Sequence, residues 1–347
     1  MALPELSDRE RRVLEAVIQS YVETAEPAGS RTISRRFGLG VSPATIRNTM
    51  SDLEEKGYLF HPHTSAGRVP TDSAYRLYVD SLMGPATLSA QQTDRLAEEI
   101  AGGGSAIEAI LRRAAQSLSV VAQELGVALG PRLDRTVLQR LDVVRVSQER
   151  LLLVLTLGGG AVRTIFVEVP GQIAESALAE VTLVLNERLS GLTLRDIRSS
   201  LGRRLRDGGA QPGTRELLNV FVQEGDVLFD VPLAPANEDV VLGQASILAE
   251  QPEFASGDSM RRLLALTDTR DQLAEVLRRR SNTPGISITI GAEHDDPRLD
   301  NLTVVTSAYR TGALSGVIGV IGPTRMPYDK IVALVRHTSL LVSDLLD

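Results

Sequence analysis

The side chains best suited to chemistry lie between residues 42 and 48, in the run SPATIRN. Ser42 can cap a helix and Pro43 fits the first helical position, so this run predicts the start of a helix. Ile46, Met50 and Leu53 follow at helical spacing and form an inward stripe. The side chains left on the outer side are those of Ala44, Thr45, Arg47 and Asn48. Because Thr, Arg and Asn can bind base edges or phosphates, and a helix N-terminus favours phosphate, the pattern indicates nucleic-acid binding.

A short basic hairpin is predicted directly after this helix. The segment Tyr58–His61 is typical of a strand, and residues 63–68 (HTSAGR) are typical of a hairpin tip. Neither 27–51 nor 56–71 contains an Asp or a Glu, although both contain arginine. A helix followed by a basic hairpin is the layout of a winged helix-turn-helix, which reads the major groove and reaches beside it. Such modules also serve as protein–protein adaptors, and the pattern leaves that alternative open.

Three further helices are predicted to position these segments. Ser7 and Glu10 have the spacing of a capping box at the start of the first helix. A short helix over 30–37 follows, and Thr71 or Asp72 caps another after the hairpin.

Beyond residue 104 the apolar pattern alternates between helical and strand periods. Residues 107–125 repeat at helical spacing, and further helical repeats cover 173–189, 194–205, 214–223, 259–280 and 331–345. Strand patterns cover 137–146, 151–157, 161–169, 227–231, 240–244, 286–290, 302–306 and 314–321. The changes near 172 and 280 indicate one sheet domain that is divided by a mainly helical insertion.

Composition excludes several classes of protein. The chain has 347 residues, is 43% hydrophobic and carries a formal charge of −7, which indicates a folded multidomain protein. Residues 1–83 contain ten Lys+Arg and eleven Asp+Glu, so the N-terminal part is near neutral and local patches decide phosphate contact. The absence of cysteine excludes disulfides, thiol catalysis and Cys-ligated metal. With neither a signal-peptide core nor a bilayer-length apolar run, we expect a cytoplasmic protein without a membrane partner.

Two long blocks resemble a known family. Residues 26–80 (EPAGSRTISRRFGLGVSPATIRNTMSDLEEKGYLFHPHTSAGRVPTDSAYRLYVD) resemble the N-terminal domain of the HrcA family, bacterial heat-inducible transcription repressors. Residues 312–335 (GALSGVIGVIGPTRMPYDKIVALV) resemble the C-terminal signature of the same family, and 247–254 (ILAEQPEF) resemble a degenerate form of a third segment. The stretch from about 89 to 236 matches only loosely.

The resemblance implies an α+β, multidomain fold. Its expected parts are a winged helix-turn-helix DNA-binding domain (1–84), a linker (85–104), a GAF-like antiparallel sheet domain in two pieces (105–171 and 281–347) and a mainly helical dimerising insertion (172–280). It also implies a homodimer that represses chaperone operons at an inverted-repeat DNA operator, is released on heat stress, and has its active form promoted by the chaperonin. No cofactor is expected.

On this hypothesis the DNA contacts come from the N-terminal domain. Thr45, Arg47 and Asn48 would contact bases or phosphates, while Arg31 and Arg35 would lie on the backbone. The expected interface comprises Arg31, Arg35, Ser42, Ala44, Thr45, Arg47, Asn48, His63, Thr64, Ser65 and Arg68.

Other functions have weaker support in the sequence. A metabolite sensor with an effector in the GAF-like domain is the alternative, although no polar or aromatic cluster indicates a pocket. No nucleophile–base pair or metal set indicates an enzyme. We expect Arg76 and the acidic turn 293–296 to be solvated, and Arg325, in the GPTRM motif, to make a structural hydrogen bond.

Overall fold

The computed structural model divides the chain into two compact units. Unit one comprises Met1–Leu129, Val240–Tyr309 and Val317–Leu345, and unit two comprises Gly130–Asp239, Arg310–Gly316 and Leu346–Asp347. The residues that the structure describes are 5–63, 67–84, 87–102, 107–131, 136–158, 162–169, 171, 173–206, 212–223, 240–268, 270–281, 283, 285–311 and 314–346. Within these ranges, no helix is both long and apolar enough to cross a membrane.

Unit one begins with the N-terminal region, which we define as residues 5–84. Its helices are α1 (Asp8–Thr24), α2 (Ser30–Phe37), α3 (Pro43–Glu55) and α4 (Asp72–Leu77), and α4 continues as a π-helical turn over Tyr78–Leu82. The short strands β1 (Leu59–Phe60) and β2 (Val69–Pro70) pair antiparallel between α3 and α4. Side chains of Ser7, Ser42 and Thr71 cap α1, α3 and α4, which confirms these predicted helix starts.

One apolar core joins α1, α2 and α3, which contact each other pairwise. Its buried apolar side chains include Val13, Leu14, Val17, Ile18, Ile33, Ile46, Met50 and Leu53. Full burial of one such side chain contributes about 1.5–3 kcal/mol, so this stripe determines which face of α3 points outward.

A nearly buried ion pair ties the start of α1 to the end of α3. Lys56 Nζ lies 2.6 Å from Glu10 Oε1, and the Glu10 side chain is 12% exposed. Glu10 also accepts a hydrogen bond from the Ser7 backbone N–H, which completes the predicted capping box. The hydrogen bond from Lys56 lowers the pKa of the Glu10 carboxyl to about 2, against an opposing effect of burial.

The remaining strands are β3 (Leu125–Leu129), β4 (Leu138–Arg145), β5 (Arg150–Leu157), β6 (Val162–Glu168), β7 (Val240–Leu242), β8 (Ile286–Ile290), β9 (Leu302–Thr311) and β10 (Leu314–Pro323). The remaining helices are α5 (Ala90–Ala101), α6 (Ile107–Ala122), α7 (Glu175–Leu189), α8 (Leu194–Leu205), α9 (Pro212–Gln223), α10 (Ser246–Ala249), α11 (Gly257–Asp268), α12 (Arg270–Arg280) and α13 (Tyr328–Leu346). Short 3-10 turns cover Pro252–Phe254, Gly291–Glu293 and Pro297–Leu299.

Outside the N-terminal region, unit one is built on a five-stranded sheet in the order β7-β3-β10-β9-β8. Strand β3 pairs antiparallel with β7 and β10, and β8 pairs antiparallel with β9. One sheet face shares an apolar core with Leu248 of α10 and with Leu273 and Leu277 of α12. On the other face, a Cβ at Gly126 would lie only 2.0 Å from the Ala115 carbonyl oxygen of α6, so this position requires glycine.

Unit two has its own sheet and its own core. Strands β4, β5 and β6 form a three-stranded antiparallel sheet in that order. Its inward side chains pack with α7, α8 and α9 in one apolar cluster that includes Leu153, Leu155, Val181, Ile197 and Phe221.

The predicted domain boundaries differ from the two units. The boundary predicted near 172 falls inside the core of unit two, because the strands over 138–168 pack on the helices that follow them. The boundary predicted near 280 also differs, because the chain returns to unit one at Val240 and not after α12. The expected linker 85–104 contains α5, whose Leu96 and Ile100 are buried.

Smaller differences concern single elements. Leu125 was expected to continue the helical repeat but begins β3, since α6 ends at Ala122 and Gln123 has a left-handed φ of 61°. The helix predicted over 259–280 is two helices, α11 and α12. The strand predicted over 227–231 lies outside the described residues.

Replacing Glu10 with Gln should lower the free energy of unfolding at pH 7 by about 1–3 kcal/mol, because the Lys56 pair is lost. The pKa of Glu10 is lower in the folded protein than its ordinary 4.5, so its contribution is complete above that value and disappears as the pH falls towards about 2. Urea unfolding followed by circular dichroism at pH 7 and pH 3 should therefore show a smaller difference between the two proteins at pH 3. Glu55→Gln, at an exposed position of α3, is the control, and an equal loss in that variant would contradict the assignment.

Candidate nucleic-acid interface

The start of α3 is shaped by Ser42. Its Oγ accepts a hydrogen bond from the Thr45 backbone N–H at 3.1 Å and lies 3.0 Å from Thr45 Oγ1. Pro43 occupies the first turn, as predicted. Ser42 is thus primarily a helix cap, and Thr45 is half-buried beside it.

The outer face of α3 is open. Ala44, Arg47 and Asn48 are exposed, as are Arg31 and Arg35 on α2. Within the described part of the chain, none of these three guanidinium groups has a hydrogen bond or an ion pair. The structure therefore leaves three cationic groups on two adjacent helices free for an anionic partner.

Of the predicted hairpin residues, His63 is exposed to solvent and Arg68 is largely buried. Thr64 and Ser65 lie outside the described residues. At the hairpin base Ala28 and Arg68 exchange two backbone hydrogen bonds of 2.8 and 3.0 Å. A Cβ at Gly67 would lie 2.4 Å from the Ala28 carbonyl oxygen, so only glycine permits this approach.

Arg68 was expected among the DNA-contacting residues, and in the structure its side chain pairs with a carboxylate of α3. Its Nη2 lies 2.7 Å from Glu54 Oε2, and its side chain is only 12% exposed. Glu54 Oε1 lies 2.8 Å from His61 Nδ1 as well. The guanidinium of Arg68 therefore anchors the hairpin to α3 through Glu54, a residue that the sequence analysis did not single out because its partners are distant in sequence.

The expectation that Arg76 is solvated was wrong. Its Nε donates to Glu293 Oε1 at 2.6 Å, and its Nη2 donates to the Ile288 carbonyl oxygen at 2.8 Å. The hydrogen bond that Arg76 donates to the Glu293 carboxylate raises the pKa of Arg76 above its ordinary value. The turn 293–296 is accordingly not a simple solvated loop, since Asp296 also pairs with Arg298.

The structural hydrogen bond expected of Arg325 is confirmed. Its Nη1 donates to the Val22 carbonyl oxygen at 2.7 Å, near the end of α1. Its Nε and Nη2 donate to the two carboxylate oxygens of Glu253 at 2.5 and 3.1 Å. Glu124 is buried close by, and burial raises the pKa of its carboxyl well above the ordinary value.

Truncation of Arg68 and truncation of Arg47 should have different effects on the free energy of unfolding. Arg68→Ala should lower the free energy of unfolding by about 1–3 kcal/mol, because it leaves the Glu54 carboxylate without its cation. Arg47→Ala should change it by no more than about 0.5 kcal/mol, because that side chain is exposed. Equal midpoints for the two variants in urea unfolding would show that the Arg68–Glu54 pair does not hold the hairpin.

Comparison with known proteins finds similar sequences that align with nearly the whole chain. A family model described as HrcA protein C terminal domain matches residues 108–332. The heat-inducible transcription repressor HrcA of Chlorobium phaeobacteroides (strain BS1) is 40% identical over 347 residues, covering 97% of each chain. The protein of the same name from Geobacter sulfurreducens is 38% identical, covering 99% of each chain. A crystal structure of a hypothetical protein has the same fold, with a TM-score of 0.66, 21% identity and 99% of each chain covered. Identity at this level over this length shows that the chain belongs to the HrcA family.

Proposed function

We propose that the protein is a heat-inducible transcription repressor that binds double-stranded DNA through its N-terminal region. The observation that carries the proposal is the group of exposed arginines without partners, Arg31, Arg35 and Arg47, on two adjacent helices. Exposed arginines attract the phosphate backbone, and such contacts supply much of the affinity of DNA-binding proteins. The relatives that match at 35–40% identity are named heat-inducible transcription repressors.

In this proposal the N-terminal region is a winged helix-turn-helix. Helix α3 enters the major groove, where Arg47 and Asn48 read bases and Ala44 faces a thymine methyl. Thr45, the N-terminus of α3, and Arg31 and Arg35 of α2 contact phosphates. His63 lies on the wing beside the groove, and the contacts expected of Thr64 and Ser65 fall outside the described residues. Ser42 acts as the cap, and Arg68 acts as an anchor instead of a contact.

The proposal includes a homodimer, and the sheet of unit two supplies the surface. Alternation along β5 sends Leu151, Leu153 and Leu155 inward, and leaves Leu152 and Val154 on the opposite face. In the register of the sheet, Leu152 lies between Val144 of β4 and Phe166 of β6, which are 48% and 57% exposed.

Val162 on the same face is 62% exposed. The described helices α7, α8 and α9 pack on the inner face of this sheet. Several exposed apolar side chains on one sheet face mark an interaction site, and a second copy of the chain offers a matching one.

Unit one supplies the remaining parts of the proposal. We assign its five-stranded sheet, assembled from two sequence pieces, as the GAF-like domain, and unit two as the dimerising insertion. Contacts between copies and between domains contribute only a few kcal/mol each, so heating removes them and releases the operator. The chaperonin would then restore the active form.

Replacing Arg47 with Ala should weaken operator binding by about 1–3 kcal/mol if the side chain reads a base. The probe is an inverted-repeat duplex that the wild-type protein selects from a randomised pool, titrated by fluorescence anisotropy at several salt concentrations. A uniform loss across sequences, with a salt slope reduced by about 1, would assign Arg47 to a phosphate. Arg336→Ala, at an exposed position of α13, is the control, and unchanged binding by the Arg47 variant would remove Arg47 from the interface.

Replacing Phe166 with Asp should convert the dimer to a monomer, because a carboxylate cannot be buried in an apolar interface without a partner. Sedimentation velocity measures the change directly. Leu183→Asp is the matched control, because Leu183 is an equally apolar, 68% exposed side chain on α7. If the Leu183 variant were a monomer and the Phe166 variant a dimer, the prediction would be wrong and the dimer interface would lie on the helices of unit two.

A further inference from the structure

Three separate contacts hold the N-terminal region against the sheet part of unit one. In the first contact Arg325, which precedes α13, binds the end of α1. In the second, α4 binds the turn after β8. In the third, an aromatic side chain of α4 packs on one at the start of α13. Each joins residues that are far apart in sequence.

The first contact is a bidentate ion pair with an added backbone bond. Arg325 is 14% exposed and binds both carboxylate oxygens of Glu253, which is itself 28% exposed. The same guanidinium donates to the Val22 carbonyl oxygen. A planar guanidinium that uses three donors in this way fixes direction as well as distance.

The second contact joins α4 to the turn over 291–293. Arg76 binds Glu293 and the Ile288 carbonyl oxygen, while Asp72 Oδ2 accepts from the Ala292 backbone N–H at 3.0 Å. Gly291 has a φ of +48°, and a Cβ there would lie 2.0 Å from Asp72 Oδ2. Both the backbone conformation and the closeness of Asp72 therefore require glycine at this position.

The third contact is aromatic. The rings of Tyr75 on α4 and Tyr328 on α13 have centroids 5.6 Å apart. The Tyr328 hydroxyl donates to the Thr324 carbonyl oxygen at 2.7 Å and lies 3.0 Å from Thr303 Oγ1. Tyr328 is thus held by the sheet, and Tyr75 is fully buried against it.

Together these contacts prevent the N-terminal region from rotating on the sheet. Helix α3 shares its core with α1, and α1 is held at its end by Arg325. The direction of α3 relative to the sheet is therefore fixed from both α1 and α4.

We propose that Arg325 and Arg76 are positioning residues that determine which separation of operator half-sites the dimer accepts. This rests on the proposed function. In a dimer the second half-site is bound intramolecularly, with an effective concentration that depends on the stiffness of every link between the two reading helices. A stiff link gives high affinity at one half-site separation and low affinity at others. A loosened link lowers the highest affinity and broadens the range of separations that the dimer binds. Because half-sites on one DNA face repeat every helical turn, the dependence on spacing reports this stiffness.

The test compares spacing profiles of the full-length wild-type protein, Arg325→Gln and Arg76→Gln. The first probe is the inverted-repeat duplex selected by the wild type. In a second series, base pairs are added between its half-sites in steps, up to a total of about 10 added base pairs. The third probe is a duplex with one half-site. Wild type should lose at least about 30-fold in affinity at an added half turn, since the second reading helix then faces away from its half-site. Each variant should lose about 3–10-fold on the selected duplex and less than about 2-fold on the lengthened and single-site duplexes.

Controls separate positioning from folding. Arg298→Gln removes an ion pair with Asp296 in the turn that follows Gly291–Glu293. Among the described residues Arg298 has no bond to the N-terminal region, so this variant should keep the wild-type profile. If Arg325→Gln does not fold, Glu253→Gln weakens the same contact while the bond to Val22 stays. Folded variants that keep the wild-type spacing ratio, even with lower affinity for every duplex, would overturn the inference. A wild-type protein that selects no inverted repeat would instead overturn the proposed function.

Discussion

The burial of one face of α3 is the constraint on which the candidate interface depends. Ile46, Met50 and Leu53 are removed from water by α1 and α2, so the helix cannot rotate without exposing them. Because the helical period is 3.6 residues, Arg47 and Asn48 must then point outward. The cap by Ser42 fixes where the helix begins, and with it which backbone N–H groups lie at the outer end.

Two groups of arginines in unit one have different physical roles. Arg68, Arg76 and Arg325 are 12%, 25% and 14% exposed and each binds a carboxylate. Arginine suits these positions because its planar group can bind a carboxylate and a carbonyl oxygen at the same time. Arg31 and Arg35 of α2 and Arg47 of α3 have no such partner among the described residues, and their charge is therefore available to a ligand. Net charge over the whole chain, at −7, conceals this division.

Local signals in the sequence predicted most of the N-terminal region, and pairing between distant segments was not predictable. Ser7, Ser42 and Thr71 are caps, and caps act within one helical turn, so their helices began where expected. The five residues of β3 are all buried, and a continuous apolar run does not distinguish a strand from a helix.

The partners of the anchoring arginines illustrate the same limit. Glu293 is 217 positions from Arg76, and Glu253 is 72 from Arg325, so no spacing rule connects them. The strands over 138–168 were recognisable as strands, but alternation does not indicate which sheet a strand joins. Their place in unit two follows from a core that only the folded chain assembles.

The position of β3 in the sheet gives a physical reason for the proposed need of a chaperonin. Strand β3 pairs with β7 and β10, so the five-stranded sheet is complete only when both sides of residues 130–239 come together. Closing so long a segment costs entropy before any pairing is gained, and folding dominated by such distant contacts is slow. Unit two can collapse first around its own leucine-rich core, while the unpaired strands of unit one stay exposed to association. On this proposal, the protein loses the orientation of α3 when unit one unfolds and regains it slowly. A chaperonin would act during this slow refolding.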